Sequence, residues 1–385
     1  MTVRRGTLAR ALFLFGALAP VAAHATPRIS LREGLPCRAC HENPSGGGMR
    51  TAYGRSVFAQ LQLPMRPLAQ PPAFDGELAH DVALGADLRF VYLYQRPGQP
   101  RLEPINSFAV MQADLYLSAR FADQLTLYVD QGLFGSWEAM AIWELPWNLY
   151  LKAGRFMPSF GLRLDNHQVF TRQGIGFGAR DKDVGLEAGA RVGPVLLQLA
   201  VLNGEPPDVG LFDGNSSKAV VGRVEWQGGD ELRALAGVSG YHNLTGRYQD
   251  KGTADLADDV DDRARDVRLS GHLGLSLGPL AYLGEASVRL QKALADTASG
   301  KTRASFQSYS ELSVQVRRGL DVALLYEYQD PDLDTQPGAI HRIGGLAELF
   351  PIASCDLWLL YRHAAGQGHP LDGSDEIFGM LHAFF

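Results

Sequence analysis

Val267-Arg268-Leu269-Ser270-Gly271-His272-Leu273-Gly274-Leu275-Ser276-Leu277 alternates without a break. Val267, Leu269, Leu273, Leu275 and Leu277 fall on one side with Gly271, while Arg268, Ser270, His272 and Ser276 fall on the other with Gly274. Successive side chains of a strand point to opposite faces, so this stretch reads as a β-strand between two unlike environments. The same period recurs elsewhere. Leu84, Ala86, Leu88, Phe90, Tyr92 and Tyr94 oppose Asp87 and Arg89, and Leu312, Val314 and Val316 oppose Glu311, Ser313, Gln315 and Arg317. In 220–226 the polar side carries Arg223 and Glu225, and in 282–290 it carries Glu285, Ser287 and Arg289.

Alternation suits a soluble sandwich and a membrane barrel equally, and the connections separate them. Tight turns at Gly193-Pro194, Gly228-Gly229, Gly278-Pro279, Gly319 and Phe350-Pro351 interleave with long polar loops near 157–182, 204–216, 242–266, 291–304 and 364–373. One rim of turns and one rim of loops is the arrangement of outer-membrane barrels, with the tight rim periplasmic. The expected fold class is therefore mainly β, an antiparallel outer-membrane β-barrel of about sixteen strands, with 137–155 the stretch hardest to divide. The chain ends with Ile377, Gly379, Leu381, Ala383 and Phe385 on one face, similar to the terminal-phenylalanine signal by which such barrels are recognised for assembly. A soluble periplasmic sandwich is the competing fold.

Residues 1–25 read as a signal peptide: Arg4, Arg5 and Arg10, then an apolar run over 11–22, then Ala23-His24-Ala25 as an A-x-A site. Removing these three arginines takes the formal net charge from -6 to -9. That acidic balance, without a basic cluster, argues against a nucleic-acid partner. No apolar run after residue 22 reaches the ~18 residues of a membrane helix, so an integral membrane role requires strands. Three cysteines are too few for a disulfide framework, and Cys355 stands alone in a strand as an expected packing residue.

Ahead of the strands lies Cys37-Arg38-Ala39-Cys40-His41. Two cysteines at this spacing can form thioethers to one haem, and the adjacent imidazole then lies beneath the iron, so Cys37 and Cys40 are the expected attachment residues of one haem c and His41 the proximal ligand. Cys-x-x-Cys alone would leave zinc, thiol redox chemistry or a disulfide open. Gly46, Gly47 and Gly48 follow, as suits backbone that approaches a macrocycle or takes positive φ. Residues 49–63 predict a short helix whose apolar face includes Tyr53, Val57, Phe58 and Leu61. Pro64, Pro67, Pro71 and Pro72 then form a linker. The predicted organisation is 1–25 signal peptide, 26–74 monohaem cytochrome c-like unit with its linker, and 75–385 barrel. So small a unit needs its cofactor, or the barrel, to complete its core.

The sixth ligand is open among Met65, Met49, His80 and His167, with Met65 preferred because proline-flanked chain holds it extended. The 157–182 segment, with Arg163, Asp165, His167, Arg172, Arg180 and Asp181, is either an inward constriction covering the haem or an ordinary surface loop. The aspartates at 250, 255, 258, 259, 261, 262 and 266 either gather a divalent cation or are simply solvated. Arg223, Glu225, Glu285, Arg289, Glu311 and Arg317 are expected to line the lumen.

Signal, single haem motif and barrel together resemble the fused outer-membrane monohaem cytochrome-porins of iron-oxidising and related bacteria. Cys37, Cys40 and His41 carry the resemblance, with Tyr53-Gly54 and Phe58 similar to a Tyr-Gly-then-Phe segment of that group. The resemblance implies a haem in the lumen or on the periplasmic side, outer-membrane lipid around the barrel, and single electrons passing between an external redox donor or acceptor, ferrous iron among the candidates, and periplasmic electron carriers. The alternative is a transport porin whose haem unit is a plug, docking unit or redox sensor.

Overall fold

The structure, a computed structural model, describes residues 27–385 apart from 71–73, 100–101, 134–136, 165, 167, 179–180, 205–212, 214, 247, 250–259, 295–300 and 336–337. The expected signal peptide and its cleavage site lie outside the described residues. The main sheet has seventeen strands, one of which, Glu77–Ala79, is a three-residue pairing onto its neighbour, leaving sixteen. These are β1 (Val82–Arg96), β2 (Ile105–Ala122), β3 (Leu125–Gly132), β4 (Trp137–Leu145), β5 (Leu149–Phe156), β6 (Asp183–Val192), β7 (Val195–Leu202) and β8 (Ala219–Gly228). They continue as β9 (Leu232–Thr245), β10 (Ala264–Leu277), β11 (Leu280–Ala293), β12 (Arg303–Arg317), β13 (Leu320–Asp330), β14 (Ile340–Leu349), β15 (Cys355–Ala365) and β16 (Asp375–Phe384). Every strand pairs antiparallel with its chain neighbours, and β16 closes the ring on β1, with Asp375 opposite Arg96 and Phe384 opposite Asp87. No sheet edge is left along the wall. That is the condition for crossing hydrocarbon, where unpaired backbone groups find no water.

The two faces are inverted relative to a soluble protein. On β10, Leu269 is 53% exposed and Leu277 57%, whereas Arg268 is 8% and His272 4%. Leu199, Ile343 and Leu359 continue the outward apolar belt. Outward Trp143, Trp147 and Trp226 edge it toward the tight turns, and Tyr92, Phe108 and Tyr361 toward the long loops. An apolar exterior between aromatic girdles around a polar interior is the signature of a membrane-spanning barrel, and it sets aside the sandwich. Among the described residues no helix is long and apolar enough to cross a membrane.

The stretch 137–155 divides at Pro146-Trp147-Asn148, where Trp147 (φ 62°) and Asn148 (φ 57°) turn the chain through left-handed backbone without a glycine. Arg317 departs from expectation. The β12–β13 register shifts between Gln315 and Arg317, which leaves Arg317 exposed at the tight rim, while Arg223, Glu225, Glu285 and Glu311 are buried in the lumen.

Residues 27–70 fold inside the barrel, against the tight-turn half of the wall. Helix α1 (Pro27–Glu33) buries Leu31 in an apolar cluster with Leu235, Leu283 and Tyr309. Its Arg28 bonds Glu311 at 2.6 Å and also Glu348, and its Arg32 grips both oxygens of Asp321 at 2.6 and 3.0 Å. Near the end of the segment, Met65 N–H donates to Phe350 O at 2.8 Å, on the tight rim itself.

From the opposite rim, 157–182 folds inward. Gly161 N–H donates to Ser239, Leu162 N–H to Glu285 and Phe170 N–H to Glu327, while Arg268 and Arg342 reach back to the carbonyls of Gly176 and Gln168. One turn, α2 (Phe170–Gln173), is included. The inward reading of this loop is the one observed; Asp165, His167 and Arg180 lie outside the described residues. Plug and loop meet where Ser45 Oγ lies 2.6 Å from Ser159 Oγ, and Ser159 bonds Glu187, which pairs with fully buried Lys152 at 2.8 Å.

Breaking one partner of a buried ion pair leaves an uncompensated charge and costs about 3–5 kcal/mol. Arg32→Ala is therefore expected to loosen 27–70, read as faster limited proteolysis of that segment with the barrel still heat-modifiable on gels. Arg32→Ala with Asp321→Ala should recover most of the protection.

Candidate functional site

The Cys-x-x-Cys-His pentad is shaped by short-range bonds. Cys37–Ala39 form one tight helical turn, after which Cys40 and His41 both donate to Cys37 O at 3.1 and 3.0 Å. The chain then loops through 42–49 and returns, with His41 and Arg50 paired antiparallel and Glu42 N–H bonded to Met49 O. Gly46, Gly47 and Gly48 all take positive φ, between 65° and 85°, as their run predicted. Thr51 closes the unit by donating from its hydroxyl to Ala39 O and accepting from Gly54 N–H.

The helix that follows starts at Ala52 rather than Met49, because 49–50 are used in that return. Over Gly54–Gln62 it is wound more widely than an α-helix, with Leu63 N–H reaching back five residues to Phe58 O. Phe58 is buried against Ile29, Leu35 and Cys40, with Tyr53 at the edge, whereas Leu61 is exposed.

Cys40 and His41 border a cavity of about 90 Å³. The 27–70 segment contributes Gly47, Gly48, Arg50, Gly54 and Phe58 to its walls, and the barrel contributes Asp87 and Arg89 of β1, Asp356 of β15, and His382 and Phe384 of β16. His41 is 4% exposed, its Nδ1 lies 3.3 Å from Gly48 O, and its Nε2 is buried without a hydrogen-bond partner. A ring whose Nδ1–H is held by a carbonyl presents a free Nε2 lone pair, the arrangement of a ligating histidine. Burial, then the positive charges of Arg50 and Arg163, push the His41 pKa down to about 3, so the ring is neutral. Arg50 stacks over the Phe384 ring at 4.0 Å, and its Nη1 is buried without a hydrogen-bond partner. The donors on the cavity wall are of the kind a covalently attached haem takes: one thiol, an unpartnered imidazole nitrogen and a guanidinium able to meet a propionate. Cys37, half-buried beside Gly46, lies behind the cavity wall rather than on it. Among the described residues no group of three or more His, Cys, Asp or Glu side chains is arranged to hold a bare metal ion.

Three of the four sequence candidates for a sixth ligand lie elsewhere among the described residues. Met49, fully buried, packs its sulfur into the wall beside Gly85 and near Tyr116 and Tyr128. Met65 sits at the tight rim beside Gly319, and His80, with its side chain 94% exposed, bonds its neighbour Asp81 at 3.0 Å. His167 lies outside the described residues. Of the aspartate-rich loop, 250, 255, 258 and 259 do too; Asp261 pairs with Arg263, and Asp266 turns into the lumen between Arg268 and Arg289. His382 was missed by sequence reading. Its signal was the alternation of the last strand, which puts it inward with Phe378, Met380 and Phe384.

A Cβ on Gly54 would run into the Cys40 carbonyl, whereas one on Gly222 would meet nothing within 4 Å. Gly54→Ala is therefore expected to destabilise the 37–63 segment by about 1–3 kcal/mol, read as faster amide exchange there, with Gly222→Ala unchanged.

No family model and no curated protein matches this sequence. Solved structures do match in shape. An anion-selective porin from Comamonas acidovorans is 12% identical with TM-score 0.58, over 79% of this chain and 99% of that one. OmpT of Vibrio cholerae in its trimer form is 10% identical with TM-score 0.58, over 79% and 99%, and the outer membrane channel DcaP of Acinetobacter baumannii is 14% identical with TM-score 0.55, over 79% and 97%. At these identities the shared property is the fold: this chain is an integral sixteen-strand β-barrel of the outer-membrane porin type.

Proposed function

We propose that this chain is a haem c electron-transfer protein of the outer membrane, passing single electrons between an external donor or acceptor and periplasmic carriers. The observation that carries the reading is His41 Nε2, buried and unpartnered, facing a cavity shared with Cys40 inside the barrel. A c-type haem there supplies a one-electron iron couple. Cys37 and Cys40 would anchor it, His41 would ligate it, and Arg50 would balance a propionate. Phe350 at the tight rim borders the same cavity, which suits exchange with a carrier on the periplasmic side. The plug and the inward loop place packed side chains in the lumen, a medium through which electrons can pass.

The second reading is a channel, favoured by the likeness in fold to porins. The two separate in oriented proteoliposomes. A membrane-impermeant external redox probe is expected to exchange electrons with enclosed carrier through the wild-type protein, and Cys37→Ala should remove both the haem band and that exchange. Exchange that survives loss of the haem overturns the electron-transfer reading. Stable conductance steps in planar bilayers, equal in wild type and Cys37→Ala, would establish the channel instead.

A further inference from the structure

We infer that His382, on the inward face of β16, is the second axial ligand of the haem carried by Cys37, Cys40 and His41. The inference rests on the haem reading given above. Axial ligation in c-type sites draws on imidazole nitrogen or thioether sulfur. Of the described side chains bordering the cavity, His382 is the one besides Cys40 and His41 that offers nitrogen or sulfur of this kind, and Cys40 is taken by the thioether. None of Met49, Met65 or His80 borders it.

His382 has the features of a held ligand. It is 6% exposed, and its ring stands 4.8 Å from that of Phe384. Its Nδ1 lies 3.6 Å from Asp356 Oδ2, within ion-pair reach though longer than a hydrogen bond. Its Nε2 lies 2.9 Å from Asp87 Oδ1, an ion-pair contact that ligation would replace. Two buried imidazoles, one on the N-terminal plug and one on the last strand, thus border one cavity, the first with an unpartnered Nε2 and the second with its Nε2 beside Asp87. Arg89, 3.3 Å from Asp87 Oδ1, gives that carboxylate a cation to hold when His382 turns from it.

The ligation has two consequences. It ties the plug to the strand that closes the barrel, through the iron rather than through side-chain contacts alone. It also places the potential below that of a His/Met site, since methionine ligation raises it.

The test uses full-length, haem-loaded protein in detergent. Wild type is expected to give a low-spin ferric paramagnetic-resonance signal and no thioether-to-iron charge-transfer band. His382→Ala should lose most of that signal in favour of high-spin iron, and added imidazole should restore it. His382→Met should remain loaded and shift the midpoint potential upward. Met65→Leu and His80→Ala should leave the spectrum unchanged. His382→Gln, which keeps a hydrogen-bonding side chain at the site, guards against a folding defect, with heat-modifiable mobility as the check on the barrel. A loaded His382→Ala or His382→Gln protein that keeps the wild-type low-spin signal overturns the inference, as does a charge-transfer band in wild type. Purified wild type without covalent haem overturns the underlying haem reading instead.

Discussion

A strand that crosses hydrocarbon must pair every backbone N–H and C=O within the protein, and the rest of this structure depends on that constraint. It requires closure, which the β16–β1 ladder supplies. Closure sorts the side chains: Leu269, Leu199 and Leu359 go to lipid, and Arg268, Glu187 and Asp356 go to the lumen. A sixteen-strand ring is wide enough that its own wall residues do not fill it. Buried charges then need partners that the wall alone does not supply.

The N-terminal segment and the inward loop provide them. Arg28 and Arg32 of the plug meet Glu311, Glu348 and Asp321 of the wall, and backbone N–H groups of the loop meet Glu285 and Glu327. Glu187 stands at the junction, bonded to Lys152 and Tyr150 of the wall and to Ser159 of the loop, which touches Ser45 of the plug. Such pairs are poor sources of net stability, because desolvation offsets most of the attraction. Their effect is positional. Each matches one donor to one acceptor, so the plug has a defined seat and the cavity around His41 has a defined wall.

Much of the fold was legible before any coordinates. The alternation of Val267 to Leu277 appears as the burial pattern of β10, and the inward loop was one of two readings of 157–182. The misses have local causes. Arg317 left the lumen because a register shift is not written in side-chain polarity, and the 137–155 stretch hid its turn because Trp147 and Asn148 adopt positive φ without a glycine. The candidate site was legible only in its contiguous half. Cys37, Cys40 and His41 announce themselves by spacing, and the positive φ of Gly46 to Gly48 follows from their type. His382 carries no such mark, being one inward residue among many on an alternating strand.

The sequence by itself determined what local backbone geometry encodes: the period of two, hence the strands and their unlike faces, the rims of turns and loops, and the spacing of the haem-type motif. Tertiary structure alone decided that 27–70 sits within the lumen and that His382 borders the same cavity as His41. The reason is physical. Periodicity depends on neighbours along the chain, whereas a cavity wall depends on ring closure and strand register, which are settled by hydrogen bonds between residues far apart in sequence.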